Sequence, residues 1–385
     1  MLTFLKMSVK FFKGSGFEAN PVPLILTKDL KFNIFYQMRM QYSKVYIDSF
    51  GYELAPHVVT SLDLEDRLAP LYDALHIQKG QLEAITGIRE RRFWHPGYKM
   101  CEGAVAAGQK AIDAAGISSQ DIGMLIYGGV CRDNLEPATA CAVADGLRLG
   151  SETEICDVSN ACLGILNGMV QIANAIELGQ ISAGLAVSCE SSRQIVDITI
   201  ERLLAAKDMN LFRECIATLT GGSGAVAVLL TDAGLSDRGH RFLGGAVRSA
   251  SAHHRLCLWG PDAGNPVRGI HIMKTDSVGV LKNGVSLGVE TYRAFKKELG
   301  WAEDKPDKVI CHQVGSAHQR TILEAVGIPK QKDFTTFEYL GNIGTVSLPI
   351  TAAIASEREF LVKDDLVGFF GIGSGLNCMM LGIRW

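Results

Sequence analysis

The chain has 385 residues, 47% hydrophobic and 21% charged, which is long enough for a large core built as two domains or one duplicated unit. A formal charge of −3 leaves no basic surplus to steer it onto phosphates, so nucleic acid is not an expected partner. No apolar run reaches the roughly 18 to 20 residues that span a bilayer, and the ten cysteines include no C-x-x-C pair; the expectations are no membrane span, no metal knuckle, no disulfide scaffold and a cytoplasmic setting.

Residues 1–39 carry six Lys/Arg against two acidic residues, and "PVPLIL" is a short apolar run with no small-residue cleavage site after it. The segment reads as an extension or an upstream start rather than a signal peptide, and we assign it no function. Met40 opens "MQYSKVYIDSFGYEL", whose alternation predicts a strand. The helical stretch "CEGAVAAGQKAIDAAG" then leads through Asp121 into "IGMLIYGGV", an apolar run of the kind buried on both faces of a sheet. After the loop "CRDNLEPATA" comes "CDVSNACLGILNGM". Here Cys162 opens a predicted helix, and about 23 residues later the strand "LAVSCE" follows.

The same grammar returns beyond "TDAGLSDRGHR", residues 231 to 241, where Gly, Asp and Ser break the pattern. "VETYRAFKKELG" leads through Asp307 into "KVICHQVG". Gly344 precedes the helix "PITAAIASEREFLV", and the strand "VGFFGIGSG" comes after it. Helix, acidic turn and buried strand thus occur twice, which predicts an internal duplication with halves 40–235 and 236–385 in a layered α/β architecture.

Three residues stand where elements change direction. Cys162 follows the turn and cap residues Asp157, Ser159 and Asn160, and a helix start favours the thiolate. His312 ends a buried strand, where sites of α/β sheets gather, while His318 falls on the next helix at no metal-ligand spacing from it. The pair His253 and His254 reads as surface loop. Asn342 lies in "YLGNIGTVSLP", between glycines that permit tight turns. Gly373, Ser374 and Gly375 belong to "GFFGIGSGLN", which fails the dinucleotide-binding pattern because Leu376 replaces its third glycine, so the loop suits close approach to a substrate. Cys156, Cys189 and Cys311 sit inside apolar runs and read as packing residues. A cysteine nucleophile with donors for an oxyanion is what acyl transfer through a thioester requires.

With Cys162, His312 and Asn342 in that order, the motifs "GIRERRFW", "DVSNACLGILNGM", "CHQVGSAHQ", "GNIGTVSLP" and "GIGSGLNC" resemble the thiolase superfamily, specifically its β-ketoacyl-synthase-III-like condensing enzymes, from about residue 40 to Trp385. The resemblance implies a duplicated five-layered αβαβα fold, a Cys162-His312-Asn342 triad, and no cofactor beyond CoA as part of substrate and product. "CRDNLEPATA" is most similar to the OleA-type enzymes of long-chain olefin biosynthesis, which join two fatty acyl-CoA molecules head to head without decarboxylation. That likeness implies fatty acyl-CoA substrates, a β-keto acid product and a homodimer in which Glu136 reaches the neighbouring subunit's site. It also implies downstream olefin-pathway enzymes or an acyl carrier protein as partners. A malonyl donor makes its carbanion by losing carbon dioxide, whereas a plain acyl thioester must lose an α-proton to a base, and Glu136 is the candidate. As a bare residue type before Pro137, Glu136 reads first as a solvated loop carboxylate, the more frequent fate of Glu, and the role of base comes only with the resemblance. The alternatives are a decarboxylative β-ketoacyl synthase III using malonyl-acyl carrier protein, transfer to an alcohol or amine, and a non-catalytic dimeric scaffold.

Overall fold

A computed structural model describes residues 40–236, 239–261 and 271–385. The N-terminal extension expected at 1–39 lies outside the described residues, as do residues 237 and 238 of the expected junction.

The alternation of the first segment forms β1 (Val45–Leu54), where a bulge after Ile47 buries Val45 and Ile47 on one face and Ser49 and Gly51 on the other. β2 (His57–Thr60) and β3 (Glu90–Phe93) pair around three short helices, α1 (Ser61–Arg67), α2 (Ala69–Leu75) and α3 (Gln81–Thr86). A capping box between Thr60 and Asp63 starts α1. α4 (Met100–Ala115) buries Gly103, Ala104, Ala107, Gly108 and Ala111, a stripe of small residues that lets it lie close on the sheet. The approach is so close that a Cβ on Gly51 would stand 2.1 Å from the Ala107 carbonyl oxygen.

β4 (Met124–Gly128), α5 (Thr139–Gly146), β5 (Glu154–Val158), α6 (Gly164–Glu177) and β6 (Ala183–Glu190) continue the first half, and α7 (Arg193–Ala206), α8 (Met209–Leu219) and β7 (Gly224–Asp232) complete it. The second half runs β8 (His240–Ser249), β9 (Cys257–Pro261), β10 (His271–Thr275), α9 (Ser277–Leu299), β11 (Lys308–Cys311) and α10 (Ser316–Val326). It ends with α11 (Phe337–Leu340), α12 (Ser347–Glu357), β12 (Leu366–Gly373) and β13 (Asn377–Arg384).

The duplication is written in the pairing. In the first half the order is β5-β4-β6-β7-β1, with β5, β4 and β6 parallel and β7 and β1 antiparallel additions. In the second half the order is β11-β12-β13-β8, with β11 and β12 parallel and β13 and β8 antiparallel. A single parallel bridge from Val309 to Asp333 marks the place that β5 holds in the first half. The halves join edge to edge where Tyr46 faces Arg241 and Ile47 faces His240.

α4 and α5 cover one face of the first run of strands, and α9 covers the outer face of β8 and β13. α6 and α12 lie between the two runs, with α6 on β6 and β4 and α12 on β11, β12 and β1. Every residue of α12 from Ser347 to Ala355 is buried, as expected of a helix apolar all round at the centre of a layered fold. The result is the duplicated five-layered αβαβα, thiolase-like α/β fold that the motifs implied. One detail departs from expectation: α6 starts at Gly164 and α12 at Ser347, each after a single 3-10 turn, Ala161–Leu163 and Gly344–Val346.

Candidate active site

The chain turns from β5 into α6 through a tight corner. Ala161 adopts φ +45°, the left-handed region that L-residues avoid, and Cys162 is the middle residue of the 3-10 turn. Gly164 then lies directly on Gly128 at the end of β4, where a Cβ on Gly164 would stand 2.7 Å from the Gly128 carbonyl carbon. Only glycine permits that contact, and it fixes the height at which the helix begins. Three bonds lock the corner laterally. Ile165 N–H donates to Thr345 Oγ1 at 2.8 Å, and Asn377 Nδ2 donates to Asn160 Oδ1 at 2.9 Å while Asn160 Nδ2 donates to Asn167 Oδ1 at 2.7 Å.

Asp157 does not serve this helix. Its carboxylate accepts from Thr139 N–H and Ala140 N–H at the start of α5 instead. Nor does Asn160 cap a helix; its side chain joins the amide chain just described. The expected lowering of the Cys162 pKa is reversed as well. Burial pushes the thiol up to about 12, reinforced by Cys257 and Glu190 nearby, and only the residue's own backbone N–H acts in the opposite sense. Cys162 therefore rests as a neutral thiol and needs a proton acceptor when it attacks.

His312 follows β11, its N–H donating to the Phe370 carbonyl at 2.9 Å. Burial lowers its pKa to about 4, helped by His318, so the ring is neutral and able to accept a proton. Its Nδ1 is buried without a hydrogen-bond partner, and the ring lines the cavity. Asn342 is pinned through its backbone, its N–H to Thr220 O and its O from Gly222 N–H, both at 3.0 Å. Its Oδ1 accepts from Gly344 N–H at 3.1 Å, which turns the amide NH2 outward as a donor.

Cys162, His312, Asn342, Gly373 and Ser374 line one cavity of about 400 Å³. A Cβ on Gly373 would lie 3.4 Å from the Cys162 nitrogen, so the glycine-rich loop passes directly over the nucleophile's backbone. Most of the remaining wall is apolar, with Ile216, Met273, Val278, Val285, Ile322 and Phe370 among its residues, though Thr220, Thr275 and Gln319 also face it. Such a wall accepts hydrocarbon, with Cys162, His312 and Asn342 as its reactive groups. Among the described residues, no group of three or more His, Cys, Asp or Glu side chains is placed to hold a metal ion.

Two of the singled-out residues are not brought into this cavity. Gly375 sits in the β12–β13 turn at φ +138°, where a Cβ would meet the Asn377 amide at 2.5 Å, so it shapes the loop without lining the cavity. Glu136 is exposed at the tip of the loop before α5, beside a fully exposed Leu135. His318, which the sequence places only on the next helix, lines the cavity from α10. Cys311 packs as expected on β11 and touches the cavity too. Cys257 and Met273, which close the cavity from β9 and β10, carry no local motif that would have marked them.

The C-terminal segment, residues 297–385, matches the family model described as 3-oxoacyl-[acyl-carrier-protein] synthase III C terminal. An acyl-CoA:acyl-CoA alkyltransferase of Shewanella oneidensis is 53% identical over 350 residues, which is 90% of this chain and 100% of that protein. A protein of the same description from Xanthomonas campestris is 36% identical over 347 residues, 90% of this chain and all of its own length. Among solved structures, cerulenin-bound Xanthomonas OleA superposes with a TM-score of 0.84 at 36% identity, covering 90% of this chain and 98% of that one. The Cys-to-Ser variant of that OleA with bound lauric acid and lauroyl-CoA gives 0.83 at 35% identity, covering 89% and 100%.

Proposed function

Because the chain belongs to the acyl-CoA:acyl-CoA alkyltransferase, or OleA, family of thiolase-fold condensing enzymes, we propose that it joins two fatty acyl-CoA thioesters by a non-decarboxylative Claisen condensation to give a β-keto acid. The observation that carries this reading is a largely apolar cavity lined by a thiol, a neutral imidazole and an amide donor.

In the first half-reaction the Cys162 thiol attacks the thioester carbonyl of one acyl-CoA and its proton passes to His312. The oxyanion lies against the backbone N–H of Cys162 and the loop at Gly373 and Ser374. CoA then leaves as a thiol, taking the proton from His312, and an acyl-cysteine remains. In the second half-reaction another acyl-CoA sets its thioester oxygen toward the Asn342 amide and toward His312, now neutral with its hydrogen on the cavity-facing nitrogen, and these two donors stabilise the enolate. Glu136 of the partner subunit removes the α-proton, and the α-carbon attacks the acyl-cysteine carbonyl. The new C–C bond forms as the C–S bond to Cys162 breaks, and the proton taken by the glutamate returns to the sulfur. Hydrolysis of the resulting β-ketoacyl thioester releases the β-keto acid.

The exposed position of Glu136, next to a fully exposed leucine, suits a loop that docks on a second copy of the chain. Xanthomonas OleA has been solved with substitutions at a cysteine and a glutamate separated by the same interval as Glu136 and Cys162. On this reading the protein acts as a cytoplasmic homodimer without a resident cofactor, passing its product to later pathway enzymes. Among the described residues no helix is long and apolar enough to cross a membrane.

The test is mass spectrometry of products from purified protein given a long-chain acyl-CoA alone and, in parallel, with malonyl-acyl carrier protein. A β-keto acid, or the ketone formed by its decarboxylation, from acyl-CoA alone is the expected result. Product only in the presence of the malonyl donor overturns the reading in favour of a decarboxylative synthase. Glu136→Gln should spare acylation of Cys162 and slow condensation by about 10²- to 10⁴-fold, the usual contribution of a positioned base.

A further inference from the structure

Glu190 ends β6 with 4% of its surface exposed, and none of the steps above uses it. Both of its carboxylate oxygens are engaged: Oε1 accepts from Val130 N–H at 2.9 Å and Oε2 from Cys131 N–H at 3.2 Å. Trp94 Nε1–H holds its backbone carbonyl at 3.1 Å. On the side of the cavity it abuts the turn that carries Asn342, since a Cβ on Gly344 would lie 3.4 Å from Glu190 Cγ and Cδ. Glu190 thus stands between the floor of the active site and the first residues of the segment that leads to Glu136.

That segment is tied firmly at its base and free at its tip. The Tyr127 hydroxyl donates to the Cys131 carbonyl at 2.8 Å, and the Asp133 carboxylate accepts from Met100 N–H and Cys101 N–H. At the far end Asp157 holds Thr139 and Ala140. Between these ties residues 134–137 are exposed. Two consecutive N–H groups directed at one buried side chain call for an acceptor with two oxygens and no donor of its own. An amide at 190 would present NH2 to one of them, donor against donor.

We propose that Glu190 is a positioning residue: braced against the Asn342 turn of its own subunit, it fixes the root of the arm by which that subunit delivers Glu136 to its partner's site. The inference rests on the reading of Glu136 as a base acting across the dimer.

The experiment uses mixed dimers with one working site. One subunit carries Cys162→Ala and supplies the arm, and the other carries Glu136→Gln and supplies the nucleophile. Glu190→Gln is then placed on either subunit, and both acyl labelling of Cys162 and the condensation rate are measured. On the arm-donating subunit it should lower kcat for condensation by about 100-fold, the cost of a displacement near 1 Å at a reacting group, with labelling unchanged. On the nucleophile-donating subunit the loss should be only a few-fold. Glu190→Asp on the arm-donating subunit, which keeps two oxygens on a shorter stem, should recover part of the rate; if the Gln chain does not assemble, this variant is compared between the two placements instead. Equal losses from both placements, or the larger loss on the nucleophile side, overturn the positioning role. A mixed dimer that is inactive without any change at Glu190 overturns the reading of Glu136, and this inference falls with it.

Discussion

The turn 160–164 in the first half and the turn 343–347 in the second are copies of one device put to different uses. Each is a single 3-10 turn leading into a central helix, Ala161–Leu163 before α6 and Gly344–Val346 before α12. Each opens on a residue of positive φ, Ala161 at +45° and Gly344 at +61°. By this correspondence the partner of Cys162 is Thr345, which is 1% exposed and accepts the Ile165 N–H. One copy presents its central side chain to the cavity as a nucleophile. The other turns its central side chain inward to hold the first copy in place and contributes Asn342 from just ahead of the turn. Duplication thus supplied a reactive corner and a brace from one backbone design.

Substituting the two central residues breaks the comparison most sharply. Cys162→Ala should abolish both acyl labelling and condensation, because no second thiol occupies that place in the turn. Thr345→Val keeps shape but leaves the buried Ile165 N–H without an acceptor. It should lower stability by about 1–3 kcal/mol in denaturant titration while labelling at Cys162 persists. Loss of labelling in both variants at full stability would show that Thr345 is more than a brace.

Asn342 separates donor from structural support. Asn342→Asp keeps an oxygen for the Gly344 N–H but removes the NH2 that faces the cavity. The expected loss in condensation is about 10²- to 10³-fold, as for one oxyanion donor, with little change in the unfolding midpoint.

Acidity gives a third, smaller effect. His312 has a folded pKa near 4 against an ordinary 6.5, so between these values the unfolded chain binds the proton and the native chain does not. Stability must then rise with pH across that window, and the part owed to His312 is lost as pH falls from about 6.5 to about 4. His312→Asn should flatten this dependence. In the intact protein, acyl labelling should fail as pH drops through about 4, where His312 gains a proton and ceases to accept one. Because the Cys162 thiol lies near 12, its alkylation by iodoacetamide in the resting protein should keep rising with pH to 10 without a plateau. A plateau near neutrality would mean a resting thiolate.

Much of this was legible in the chain. The strand and helix periods and their repetition exposed the duplicated fold, and Cys162, His312 and Asn342 stood out because each lies at a corner between elements. What stayed hidden depends on distant segments meeting. A helix start argues for a thiolate at Cys162, but the enclosure that reverses the argument comes from residues such as Cys257, Met273 and Val278, about a hundred positions later. Glu190 closes the strand "LAVSCE", where a carboxylate ordinarily meets water; it is buried because the chain near residue 130, some sixty positions earlier, folds its N–H groups onto it. Glu136 shows the reverse, a residue whose chemistry the resemblance implies and whose own subunit leaves it in solvent.

The smallest effect tests whether the two corners share one origin of strain. Gly344 bears its positive φ without steric cost, whereas Ala161 brings its Cβ into conflict with the following carbonyl. Gly344→Ala should cost about 1–2 kcal/mol from backbone conformation alone, because its new Cβ would meet Glu190 only at ordinary contact distance. Ala161→Gly relieves the same conflict but adds the larger unfolded-state freedom of glycine, so the net gain should be no more than about 1 kcal/mol. The two differ in what they do to rate. A glycine at 161 loosens the corner that holds Cys162 beneath Gly373, so acyl labelling should slow even as the unfolding midpoint rises. If labelling is instead unchanged, the orientation of Cys162 is set by Gly164 on Gly128 and by the Thr345 brace, and the strained alanine contributes nothing to it.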